Sequence, residues 1–107
     1  MTSAPDIRVT DNPASSRFEV FSDGELAGFA EYRVSDGRIV FTHTEIDDAF
    51  EGHGIGSRLI RYALDDARRR GLLVVPKCPF VRRFIEEHED YADLTKARPN
   101  GPTSGIA

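Results

Sequence analysis

The stretch from Gly54 to Arg70 constrains this chain more than any other. Ile55, Leu59, Ile60, Ala63, Leu64 and Ala67 recur there at helical spacing and fall on one stripe. On the outer surface, Arg61–Asp65, Asp65–Arg69 and Asp66–Arg70 place opposite charges four residues apart, where helix neighbours attract. Arg68, Arg69 and Arg70 lie in the last turn, where cations suit the helix dipole, and Gly71 supplies the stop. One amphipathic helix is predicted, and its apolar stripe must be covered by another layer of structure.

The residues before the helix predict a sheet. Ile7 to Val9 reads as a short first strand, Arg17 to Phe21 as a second, residues 26 to 34 as a third and residues 39 to 46 as a fourth. The runs SDGE at Ser22 and SDGR at Ser35 separate the last three, and Asp-Gly between such runs specifies antiparallel hairpins. After the helix, Leu72 to Val75 is an apolar run between Gly71 and Pro76, hence a buried strand. Pro79 then suits the first turn of a second helix, with Phe80, Val81, Phe84, Ile85 and His88 on its inner stripe. Glu86, Glu87, Glu89 and Asp90 gather at its C-terminal end, where the dipole disfavours acids. The expected fold is α/β: an antiparallel meander followed by helix, strand and helix on a mixed sheet.

At 107 residues the chain has room for one domain and a modest core. Residues 7–95 are expected to form it, with the Pro-, Gly- and Ser-rich segments 1–6 and 96–107 as flexible tails. A net charge of −4 argues against general nucleic-acid binding, which needs a basic surface. No apolar run approaches bilayer length and no basic-then-apolar leader opens the chain, so no membrane partner is expected. Cys78 is the single cysteine and cannot form an internal disulfide, which suits a reducing, cytoplasmic setting. No metal is expected, and an exposed sheet edge leaves both a monomer and a homodimer open.

The densest chemical signal is Glu51-Gly52-His53-Gly54-Ile55-Gly56-Ser57, after a strand and at the mouth of the helix. Alternating glycines remove Cβ atoms where the chain turns tightly or a ligand meets backbone. The first free N–H groups of the helix, with its dipole, then make an anion site suited to a pyrophosphate. A Walker loop is excluded because no Lys-Ser/Thr pair follows. Antiparallel strands before the glycines do not match a dinucleotide-binding unit. The competing reading is a plain strand-to-helix turn, with His53 as a surface residue.

The chain resembles the GNAT superfamily of acyl-CoA-dependent N-acetyltransferases, whose acetyl-CoA motif, Gln/Arg-x-x-Gly-x-Gly/Ala, aligns with Glu51 to Gly56. Within it, His43-Thr44-Glu45, Pro76-Lys77-Cys78-Pro79-Phe80 and the closing His88 to Leu94 segment look like the minimal one-domain branch, over roughly Arg17 to Leu94. The resemblance implies acetyl-CoA as co-substrate and an amine as acceptor. It implies that backbone from Gly52 to Ser57 cradles the pyrophosphate, with the pantetheine between the strand near Thr44 and Glu45 and the strand at Leu73 to Val75. The wider superfamily favours Gln or Arg where Glu51 stands, so Glu51 is expected to point outward. The N-terminal helices of larger members have no counterpart here, nor has their Tyr in the last helix.

Acetyl transfer needs a neutral amine, hence a base. His43 and Glu45 share one face of their strand by its period of two. Cys78, just before a helix and beside Lys77, could accept the acetyl group transiently or protonate the departing thiolate. Its alternative is a buried small hydrophobe. Tyr91 is a weaker candidate acid, with closing the core as its alternative role. The function expected is acetyl transfer from acetyl-CoA to a primary amine; the alternative is a non-catalytic acyl-CoA binding or sensing module.

Overall fold

Two Asp-Gly turns organise the sheet. In the computed structural model, which describes residues 4–52 and 54–96, Asp23, Gly24, Asp36 and Gly37 all have positive φ, from 50° to 85°. This is the geometry of type I′ turns, whose twist matches that of the flanking strands. They join β2 (Arg17–Ser22), β3 (Glu25–Ser35) and β4 (Arg38–Ile46) into the expected meander. β1 (Ile7–Asn12) pairs antiparallel with β2 and runs on past Val9. Asp11 and Asn12 are poor strand formers, but their side chains find partners there: Tyr32 donates to Asp11 at 2.6 Å and Asn12 donates to Glu19 at 3.3 Å.

The chain then enters α1 (Ile55–Arg69), returns as β5 (Leu73–Pro76) and closes with α2 (Pro79–Glu87) and a 3-10 segment, Glu89–Thr95. The α1 crossover makes β5 parallel to β4, so the five-stranded sheet, in order β1-β2-β3-β4-β5, is mixed. One face of it carries Phe18, Val20, Ala30, Ile39, Phe41 and Val74, all buried. Ile55, Leu59, Ile60, Ala63, Leu64 and Ala67 of α1 cover that face, so the predicted stripe is the core. Val81, Phe84 and Ile85 of α2 extend the same cluster. Among the described residues no helix is long and apolar enough to cross a membrane.

Several local expectations change. Phe80 leaves the inner stripe and stands 42% exposed, because the first turn of α2 aims its ring at Gly56 rather than at the core. His88 ends α2 instead of lining it, stacked on the Phe84 ring at 3.9 Å between centroids. The Arg61–Asp65 and Asp65–Arg69 pairs do not form. Tyr91 is buried and needs a partner for its hydroxyl, which it donates to Asp65 at 2.7 Å, while Arg61 donates to that hydroxyl at 3.4 Å. Asp66 takes both Arg69 (2.7 Å) and Arg70 (3.3 Å).

The acidic cluster divides as well. Because α2 stops at Glu87, Glu89 and Asp90 open the 3-10 segment, where the end of a helix that favours acids faces them. Arg68 pins that segment through both Asp93 oxygens (2.9 and 3.1 Å) and the Asp90 carbonyl (2.8 Å). At the other end, Asp6 exchanges hydrogen bonds with Asp23, so the chain is already tied before β1 begins. Of the expected tails, 1–6 and 96–107, residues 1–3 and 97–107 lie outside the described residues.

Two outcomes follow for stability. A Cβ at Gly28 would stand 2.5 Å from the Glu45 carbonyl oxygen, so Gly28→Ala should push back the end of β4 and cost about 1–3 kcal/mol in denaturant unfolding; an unchanged midpoint would contradict this packing. Burial, then the bond to Asp11, push the Tyr32 hydroxyl up from 10.0 to about 12. Because the neutral phenol is favoured in the fold, that stability is complete below pH 10 and is lost as pH rises toward 12. Thermal unfolding across that window should show a steeper decline in the wild type than in Tyr32→Phe.

Candidate functional site

The site begins where two strands part. β4 pairs with β5 from Arg38↔Leu73 to Phe41↔Pro76 and no further. One more backbone bond, from the Cys78 N–H to the Phe41 carbonyl at 2.9 Å, ends the contact. At the same level the β3–β4 register slips between Glu31↔His43 and Tyr32↔Phe41, leaving Thr42 as an extra residue. Such a bulge bends its strand, and here it lies just where the β4–β5 ladder ends. The sheet is therefore split at one end between β4 and the β5–α2 connection.

The bulge also decides which way each β4 side chain faces. Thr44 pairs with buried Ala30 on the helix-covered face, while His43 and Glu45 pair with Glu31 and Phe29 on the other. His43 Nε2 and Glu45 Oε2 are 2.7 Å apart, with side chains 51% and 62% exposed. An ionised carboxylate only accepts, so the bond requires the proton on Nε2 and leaves Nδ1 of a neutral ring free to accept. Cys78, 3% exposed, donates its thiol to Thr44 Oγ1 at 3.3 Å. The three residues expected to act in catalysis are thus not one constellation: His43 and Glu45 form a pair on the open face, and Cys78 sits with Thr44 on the helix side of the split. Tyr91 is engaged with Asp65 and belongs to neither group.

Beside the split lies the start of α1. Gly52 and Gly54 have φ of 87° and 70°, which side chains disfavour, and Gly54 caps the helix without a side chain. The first helical turn closes with the Arg58 N–H on the Gly54 carbonyl at 3.1 Å, so the N–H groups of Ile55, Gly56 and Ser57 have no acceptor inside the helix. The first turn has no acidic residue, and a Cβ at Gly52 or Gly54 would meet nothing within 4 Å. The arrangement suits an anion, held by amides and by about half a positive charge of helix dipole. Glu51 is exposed. His53 lies outside the described residues.

Gly56 has a different reason from the other two glycines. A Cβ there would stand 2.6 Å from the Phe80 ring and 3.5 Å from Ile46, so its bareness seats that ring at the mouth of the split. Ile46, Phe80 and the Thr42 bulge are the parts of the site that sequence reasoning missed. The β-branched run predicted the strand but held no signal for a bulge set by the partner strand, and helical periodicity assigned Phe80 to the core. Among the described residues no group of three His, Cys, Asp or Glu side chains is placed to hold a metal.

Comparison with known proteins agrees with this architecture. The model of the GCN5-related N-acetyl-transferase family matches residues 17–94. Streptothricin acetyltransferase of Streptomyces lavendulae is 43% identical over 54 residues, 49% of this chain and 29% of that protein. Protein NATD1 of Bos taurus is 32% identical over 69 residues, 64% of this chain and 61% of that protein. The chain thus aligns with less than two thirds of either relative's length. A GCN5-like protein of Staphylococcus aureus shares the fold, with a TM-score of 0.64 at 22% identity, over 81% of this chain and 85% of that one. So does the ribosomal-protein-alanine N-acetyltransferase of Brucella melitensis biovar Abortus, with a TM-score of 0.53 at 21% identity, over 77% and 63%. A helix whose bare N-terminus opens beside a split sheet, and a family match spanning nearly every described element, lead to one conclusion: this chain belongs to the GCN5-related N-acetyltransferase family.

Proposed function

We propose that the protein moves an acetyl group from acetyl-CoA to a primary amine. The observation that carries this reading is the parting of β4 from β5 beside the start of α1. Free amides suited to a pyrophosphate lie next to the point where the β4–β5 ladder ends. In this reading the backbone from Gly52 to Ser57, with His53 in the same loop, takes the pyrophosphate, and the pantetheine follows β4 past Ile46 to Thr44. Acetyl-CoA supplies an activated thioester.

The amine arrives protonated and must lose a proton before it attacks. His43 accepts that proton at Nδ1, while Glu45 on Nε2 fixes the tautomer and stabilises the imidazolium that forms. The amine nitrogen then bonds to the carbonyl carbon as the bond to CoA sulfur breaks, and the second proton it sheds passes to solvent. The CoA thiolate departs on the helix side, where the Cys78 thiol can give it a proton and later regain one from solvent. Alternatively, the Cys78 sulfur takes the acetyl group first and CoA leaves as its thiol; the amine then displaces the Cys78 thiolate. The uncovered face that carries His43 and Glu45 also favours a second reading, a module that binds acyl-CoA without turnover.

Release of CoA thiol from acetyl-CoA with a panel of primary amines separates the two readings. Turnover that falls about a hundredfold or more in His43→Asn and Glu45→Gln, with acetyl-CoA affinity retained, is the expected result. Normal turnover in both variants would end the assignment of the base. Tight binding with no turnover on any amine would favour the module. Mass spectrometry after mixing with acetyl-CoA alone tests the covalent route, which requires an acetylated Cys78 peptide that Cys78→Ser lacks.

A further inference from the structure

We infer that Thr44 and Cys78 together limit the acyl group to acetyl by closing the inner end of the split. This rests on the coenzyme reading above and adds a specificity to it. With the pyrophosphate at the start of α1, the thioester end lies farther in along β4, and Thr44 stands about 7 Å along the strand from Ile46. There the Cys78 thiol meets Thr44 Oγ1 at 3.3 Å and bridges the parted strands.

The backbone on both sides of this bridge is anchored. The Cys78 backbone is fastened to the Phe41 carbonyl at 2.9 Å, and the residue is 3% exposed. Thr44 is held in register opposite Ala30, and both Ala30 and Phe41 are fully buried. At the same end of the sheet, the Phe80 ring sits over Gly56 with Ile46 beside it. An acetyl methyl can end at the bridge. A longer chain must occupy the volume of the hydrogen-bonded pair and leave its polar atoms unsatisfied. Discrimination on the order of tenfold to two-hundredfold per misplaced methylene is typical of such a boundary.

Calorimetric titration with CoA, acetyl-CoA, propionyl-CoA and butyryl-CoA tests this without an acceptor. The readout is the ratio of affinities within each variant, so a uniform change in coenzyme affinity does not disturb it. In the wild type, butyryl-CoA should bind at least about tenfold more weakly than acetyl-CoA. Thr44→Ala should collapse that ratio toward one, and Thr44→Ser, which keeps the hydroxyl, should restore most of it. Equal affinities in the wild type, or an unchanged ratio in Thr44→Ala, would overturn the inference while leaving the coenzyme site standing. Failure of CoA itself to bind the wild type would overturn the coenzyme reading, and the inference with it.

Discussion

The parallel ladder between β4 and β5 has to stop, and most of what this molecule offers chemically depends on where it does. Pairing ends at Phe41↔Pro76, one residue short of the Thr42 bulge and just before the proline that opens α2. A strand that bulges on one side and a chain that turns into a helix on the other cannot continue the ladder. The gap lies at the end of the sheet where α1 begins, because the crossover from β4 to β5 must start there. Free helix amides and a split sheet are therefore neighbours as a consequence of topology, in keeping with the way ligands gather at strand ends in α/β proteins.

The rest of the fold keeps that end in place with a small core. Among the described residues the buried apolar side chains form one cluster, so α1 must stay aligned over it, and the aromatic and charged side chains at its far side secure the closing segment. Tyr91 is held between Arg61 and Asp65, and Arg68 grips Asp93 and the Asp90 carbonyl. Burial and the bond to Asp65 both push the Tyr91 hydroxyl upward, keeping it neutral and donating. The other face of the sheet stays polar, with Arg17 over the Phe29 ring at 4.5 Å and paired to Glu19 at 2.8 Å. That face presents His43 and Glu45 to solvent.

Features written in local chemistry were legible in the sequence. Asp-Gly pairs placed both hairpin turns, the apolar stripe from Ile55 to Ala67 placed the core of α1, and the glycines before it marked a helix entrance. Strand alternation put His43 and Glu45 on one face, and they do meet. What depended on distant partners was not legible. The bulge at Thr42 is set by register against β3, and the Cys78–Thr44 contact joins residues 34 apart. The Arg61–Asp65 pair, a sound local expectation, gave way because a buried tyrosine from the closing segment needed a partner more. That Gly56 also seats the Phe80 ring was not legible from the alternating glycines.

The most direct test of the central claim is a calorimetric titration of acetyl-CoA into the wild type and into Ser57→Glu. Ser57 is exposed at the third position of α1, where a glutamate suits the helix dipole and should leave the melting temperature equal or higher. The same carboxylate would lie among the amides that are to hold a pyrophosphate. The account predicts micromolar binding, on the order of −8 kcal/mol, in the wild type and its loss in the folded variant. Equal binding in both proteins, or none in the wild type, would contradict it.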